Sequence, residues 1–226
     1  MTSPQRRLLV AALFLSPLLL TASELLRLRV DGAYVENQAD PVADAASHLA
    51  AVAGNIAAWR WAGFLTLGFV TVWGVALIGM AVLLGERKPR LGPVGVVVAV
   101  LATVGSALHL AFYYLPLGQL ATAGDPELAA RAAALDGHDP LAAVALLLFL
   151  ASALAPVVLA VGLWRASILP WWGMVAVLVW FGTALLGSEE TPAALLNLLL
   201  LVPAAALARR RQYDPTQAAP AAPVPA

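Results

Sequence analysis

Three groups of residues in this chain have types and spacings that could do chemistry. Ser106, His109 and Tyr113 stand at i, i+3 and i+7, so a helix carries them on one face. An ionisable side chain at membrane depth is a functional candidate, and a membrane enzyme or metal sensor could be built on His109. The preferred account is plainer: a neutral imidazole hydrogen-bonded between helices or reaching to the outer interface. Haem ligation by two histidines would need a second histidine at that depth, and none is present. The second group is His48 and His138 with Asp44, Asp136, Asp139, Glu189 and Glu190, the side-chain types that bind zinc or another divalent ion. No HExxH or comparable spacing accompanies them, so a solvated acidic face is preferred. Asp139-Pro140 has the form of a helix cap. Glu189 and Glu190 precede Thr191-Pro192, where carboxylates oppose a helix dipole favourably. The third candidate is Arg60, between Trp59 and Trp61, which could pair with an acid, stack on indole or hold a lipid phosphate. Interfacial anchoring is sufficient for it.

No P-loop, dinucleotide-binding glycine motif, serine nucleophile elbow or basic nucleic-acid patch is present. The chain has no cysteine, which excludes disulfides, thiolate metal sites and thiol catalysis. No catalytic residue, cofactor or metal site is therefore assigned, and nucleic acid is excluded as a partner.

The elements that must position these residues are apolar. Hydrophobic residues make up 62% of 226 positions and charged residues 12%, with a mean hydropathy of +0.85. Soluble domains run at about 45–50% apolar and about 25% charged. The charges cluster, and between them lie apolar runs long enough for a helix to cross roughly 30 Å of hydrocarbon. Lipid offers backbone groups no partners and the runs lack period-2 alternation, so helices are expected. The fold class is all-α, a polytopic transmembrane bundle of about six spans at 8–23, 62–84, 94–115, 141–163, 169–186 and 193–207. The sixth is the shortest and contains Asn197 and Pro203. No span interior so bounded contains Asp, Glu, Lys or Arg, which argues against an ion-coupled pump. Gly95, Ala99 and Thr103, with Gly68, Gly74 and Gly79, suit close helix packing.

Lys and Arg in the connections set the orientation. With the N-terminus in the cytoplasm, Arg6, Arg7, Arg87, Lys88, Arg90, Arg165 and Arg209 to Arg211 fall inside, and Arg27, Arg29, Arg60 and Arg131 outside. Eleven of the thirteen carboxylates then fall outside, so a formal charge of zero resolves into +7 within and −7 without. Arg6-Arg7 and the first apolar run also have the form of a signal peptide. The small-x-small site near Ser23 is poor and Pro17 interrupts the run, so an uncleaved anchor is preferred. Trp59, Trp61, Tyr113, Tyr114, Trp164, Trp171 and Trp172 take interface positions, whereas Trp73 and Trp180 are mid-span and pack between helices or face lipid.

Short outer helices are expected at 41–53 and 126–136, each with Asp-Pro at its start and glycine beyond its end. The inner connections both run Gly, Arg, Leu, Pro, Gly. Three helical hairpins at a spacing near 80 residues follow, a parallel repeat with the last hairpin shortened. Residues 1–211 form the transmembrane domain, and 212–226 a Pro/Ala-rich disordered tail. Leu163-Trp164-Arg165, Ile168-Leu169-Pro170 and Trp172 together resemble the inner-loop signature of small six-span bacterial membrane families of unknown function. The arginine-rich, lysine-poor composition suits a high-GC, actinobacterial-type source. That likeness covers about ten residues and implies location and fold alone.

The leading expectation is a non-enzymatic scaffold or partner subunit of the plasma membrane, with the bilayer and a homo- or hetero-oligomeric neighbour as partners. The alternatives are a small-molecule or lipid transporter or channel subunit, and a membrane enzyme or metal sensor built on His109 or the outer His/carboxylate group.

Overall fold

The computed structural model describes residues 2–37, 39–136, 140–185 and 191–210. Among these the chain forms helices and turns, with no strand. Four helices, α1 (Ser3–Asp31), α3 (Ile56–Arg87), α4 (Gly92–Leu120) and α6 (Pro140–Arg165), are the long apolar elements, and each contains a segment long and apolar enough to cross a membrane. Shorter apolar segments follow: α7 (Trp171–Leu185), then α8 (Thr191–Leu196), a 3-10 turn (Asn197–Leu200) and α9 (Leu201–Arg210). Two short helices, α2 (Pro41–Gly54) and α5 (Pro126–Asp136), pack together across one end of the bundle, with Leu49 against Ala129 and Ala130. Each starts on an aspartate. The Asp40 carboxylate accepts from the amides of Val42 and Ala43, and that of Asp125 from Glu127 and Leu128, filling donors a helix start leaves open.

Helix bounds differ from hydropathy bounds because a helix continues as long as its amides find carbonyls four residues back. The helix carrying the first apolar run continues to Asp31, so Glu24, Arg27, Arg29 and Asp31 are helical instead of lying in a loop. Helix α3 begins at Ile56 and α4 passes Pro116 to Leu120. The segment expected as one helix over 193–207 is broken. Pro203 has no amide to offer the Leu199 carbonyl, and the Leu201 amide turns back to Leu198 and Leu199 in the tighter 3-10 pattern.

The long helices close into a ring in which α1 packs on α3, α3 on α4, α4 on α6 and α6 on α7. The broken last segment lies between α7 and α1, and α3 also meets α6 across the interior. Leu77, Leu159 and Leu163 are fully buried there, and Trp73 packs between Phe69 and Trp180. Small residues allow the close crossings. A Cβ on Gly92 would stand 2.7 Å from the Gly85 Cα, and one on Gly74 would stand 2.8 Å from Thr103.

The two connections at the other end close differently despite their similar sequences. Between α3 and α4, the amides of Leu91 and Gly92 both reach the Lys88 carbonyl. Between α6 and α7, Ser167 takes a left-handed φ of 57° and the amides of Ile168 and Leu169 reach back to Leu163. Trp59 departs from its expected interface position. It is 1% exposed, whereas Trp61 faces outward at 64%.

Candidate functional site: a charged seam beneath the helical cap

Glu24, Arg27 and Asp31 occupy the last two turns of α1 at i, i+3 and i+7, so they form a single charged stripe. At one end of the stripe, Asn197 Nδ2 donates to Glu24 Oε2 at 2.7 Å, and Trp180 Nε1 donates to Asn197 Oδ1 at 2.8 Å. This chain of three residues ties α1, the 3-10 turn and α7. Glu24, the first residue past the apolar run expected at 8–23, is half-buried within α1, against a buried asparagine. One turn-face away, the Ser23 hydroxyl donates to the Ala62 carbonyl and lies 2.6 Å from Thr66 Oγ1, joining α1 to α3.

At the other end Arg27 Nε is 3.1 Å from Asp31 Oδ2, but not aligned for a hydrogen bond, and the nitrogen is buried without another partner among the described residues. Tyr113 and Tyr114 of α4 are within electrostatic reach of its charge. His48 of α2 covers this end with its ring 5.1 Å from Tyr34, 6.0 Å edge-on from Trp59 and 6.5 Å from Tyr113. Trp59 packs at a tilt against both tyrosines and donates Nε1 to the Tyr114 carbonyl at 3.0 Å. Asp44 secures the loop that leads into α2. Its Oδ1 accepts from the Tyr34 hydroxyl at 2.6 Å and from the Asn37 amide at 2.7 Å.

The face carrying Ser106, His109 and Tyr113 looks toward α6. Ser106 Oγ donates to Ser152 Oγ at 3.2 Å, and the His109 ring stacks on Phe149 at 4.0 Å and on Tyr113 at 5.3 Å. His109 therefore sits between helices by ring stacking, where a hydrogen bond between helices or a reach to the outer interface was expected; among the described residues its nitrogens have no hydrogen-bond partner. His48 and His109 flank Tyr113 from opposite elements. Arg60 is exposed and makes no ion pair among the described residues. His138, Asp139, Glu189 and Glu190 lie outside the described residues, as does the side chain of Asp136. Among the described residues no group of three His, Asp or Glu side chains is placed to hold a metal ion.

Reasoning from sequence passed over Glu24, Arg27 and Asn197. Their signal was the i, i+3, i+7 spacing on α1 and a lone amide in an apolar run, both hidden by ending the helix where the hydropathy fell.

Two groups of the cap have shifted proton affinities. The Asn37 amide and the Tyr34 hydroxyl hold the Asp44 carboxyl below the usual carboxylate range. Burial pushes the His48 imidazole below its ordinary value; the charge of Arg27 adds to this, while Asp31 and Asp44 oppose it. A histidine that is neutral when folded stabilises the fold above its unfolded pKa of about 6.5, and loses that contribution as pH falls through this value toward the folded one. Asp44 acts in a lower window, contributing above about pH 4 and failing as pH drops through its depressed value. Thermal unfolding of wild type should therefore lose several degrees between pH 7.5 and 5.5, and His48→Gln should flatten that slope. Equal slopes in wild type and His48→Gln would remove His48 as the cause.

No protein-family model, curated protein or solved structure matches the chain. Fold and site define a class: an all-α helical bundle with several apolar helices, four of them long enough to cross a membrane, and a charged seam closed by a two-helix cap.

Proposed function

We propose that this chain is a multi-pass protein of the bacterial plasma membrane, crossing six times as three hairpins with both termini in the cytoplasm. It acts as a non-enzymatic scaffold or partner subunit, of the six-span kind its inner-loop signature resembles. One observation carries this reading: three sets of polar side chains inside the bundle pair helix to helix. Ser23 with Thr66, Ser106 with Ser152, and Glu24 with Asn197 and Trp180 are ties of the kind that hold membrane helices together. The outward faces support the location. Leu8, Leu67, Val97, Leu147 and Val158 are each about half exposed or more, a surface that suits lipid and would be costly in water. The cationic turns at one end and the Asp-capped helices at the other fit the charge rule for insertion.

The absence of cysteine makes the topology directly testable. Single cysteines replacing Lys88 or Arg165 should resist a membrane-impermeant maleimide in intact cells and react after lysis, while Glu36→Cys and Leu128→Cys should react in both. Labelling of Lys88→Cys in intact cells, or release of the chain by alkaline carbonate, would overturn the arrangement. The non-enzymatic reading is tested by His109→Phe, which keeps the stack on Phe149 and should complement any phenotype of gene loss. Failure of that variant to complement while folding normally points to the enzyme or sensor alternative.

A specific observation favours transport as the second reading. Glu24 stands beside the irregular turn at Asn197, and about 25 Å of helix separates it from Arg7 at about 1.5 Å per residue. A carboxylate near a discontinuous helix within a span is the arrangement used by ion-coupled carriers.

A further inference from the structure

The turn between α3 and α4 carries Arg87, Lys88 and Arg90 around a surface depression that Pro89 and Leu91 complete. Among the described residues no ion pair joins Arg87, Lys88 or Arg90 to an acid, and the adjacent Glu86 is engaged by Arg6 at 3.4 Å. The turn is held in shape. The Lys88 amide donates to the Leu84 carbonyl at 2.8 Å, the amides of Leu91 and Gly92 return to Lys88, and the Gly85–Gly92 approach clamps the two helices below. From the depression an apolar rail descends α4: Leu91, Val94, Val97, Leu101 and Val104, all exposed at 45–58% and spaced by three or four residues. The other inner turn offers a contrast. It has one cation, Arg165, among the exposed rings of Trp164, Trp171 and Trp172. Cations for membrane insertion need only be near a helix end. Three cations on a fixed turn, with no acidic partner among the described residues and at the head of a continuous aliphatic stripe, are the complement of a molecule with an anionic head and a long apolar tail.

We infer that the α3–α4 turn binds an anionic phospholipid, its phosphate held among Arg87, Lys88 and Arg90 and one acyl chain laid along Val94, Val97 and Leu101. This rests on the membrane reading above and adds a ligand to it.

The test uses the full chain purified in a neutral detergent, with thermal unfolding followed against added dioleoyl phosphatidylglycerol, dioleoyl phosphatidylcholine or soluble glycerol phosphate. Phosphatidylglycerol at a few-fold molar excess should raise Tm by several degrees, and the other two by less than one. The triple variant Arg87→Gln, Lys88→Gln, Arg90→Gln should lose most of that rise, while Arg165→Gln keeps it. Val97→Ser should weaken the apparent affinity several-fold with the cations intact. Should the triple variant fold poorly, the single variant Arg90→Gln, scored by the number of phosphatidylglycerol molecules retained in native mass spectra, gives the same comparison. Full retention of the rise in the triple variant would mean diffuse adsorption and overturn the site. An equal response to phosphatidylcholine, or reproduction of the rise by glycerol phosphate alone, would overturn the lipid assignment. Failure of the membrane reading is recognised separately, as a chain that stays soluble and monodisperse once detergent is removed.

Discussion

Gly105→Ala is expected to destabilise the bundle far more than any other single-methyl addition. A Cβ at 105 would fall on the Leu148 carbonyl group and the Phe149 nitrogen, well inside van der Waals contact. These are backbone atoms of α6, so no side-chain rotation relieves the clash and α4 must move away from α6. Overpacking of this kind costs about 3 kcal/mol at the upper end of its range, a large part of a total stability of about 5–15 kcal/mol. The cost is compounded because the Ser106–Ser152 bond and the His109–Phe149 stack lie on the same interface. In detergent, Tm should fall by more than about 5 °C. Gly182→Ala is the control, since a Cβ there meets nothing within 4 Å and alanine is the better helix former by up to about 1 kcal/mol. Equal stability of the two variants would refute the close crossing of α4 and α6.

Asn197→Leu should be nearly as damaging, for an electrostatic reason. It removes the hydrogen-bond donor to the half-buried Glu24 carboxylate and the acceptor for Trp180 Nε1 in one step. Stranding a charged group and a neutral donor costs about 2–4 kcal/mol, whereas replacing both members of a pair by apolar groups is often close to neutral. The variant Glu24→Leu, Asn197→Leu should thus regain most of the stability lost in Asn197→Leu alone, and more still with Trp180→Phe. Glu24→Gln keeps an acceptor for Asn197 and should cost about 1 kcal/mol or less. The series also separates the two functional readings. If the trio is only a helix tie, stable apolar variants complement the loss of the gene. If Glu24 serves transport, they fold and fail, and Glu24→Gln fails with them. Additive losses in the double variant would sink the coupling between Glu24 and Asn197.

The sequence by itself determined what depends on near neighbours along the chain. All-α character follows from long apolar runs without alternation, and the starts of α2 and α5 from Asp40 and Asp125, whose carboxylates need only amides two and three residues ahead. Close helix crossings followed from small residues spaced one turn apart, because a missing side chain is a local property whatever partner fills the gap.

What only the tertiary structure decided are the pairings between distant segments. Glu24 and Asn197 are 173 positions apart; each alone marks a loop or an oddity, and they become a tie only when the last segment closes the ring against α1. Trp59 was legible as an interface residue by its place at a helix start, yet the cap folds over it and gives its indole nitrogen a carbonyl on α4. His109 and His48 meet on Tyr113 because α2 lies across the end of α4, a placement no spacing encodes. The physical division is one of range: capping, periodicity and hydropathy act within a few residues. Which buried polar groups find partners depends on the faces that packing brings together, and the charged seam beneath the cap exists only there.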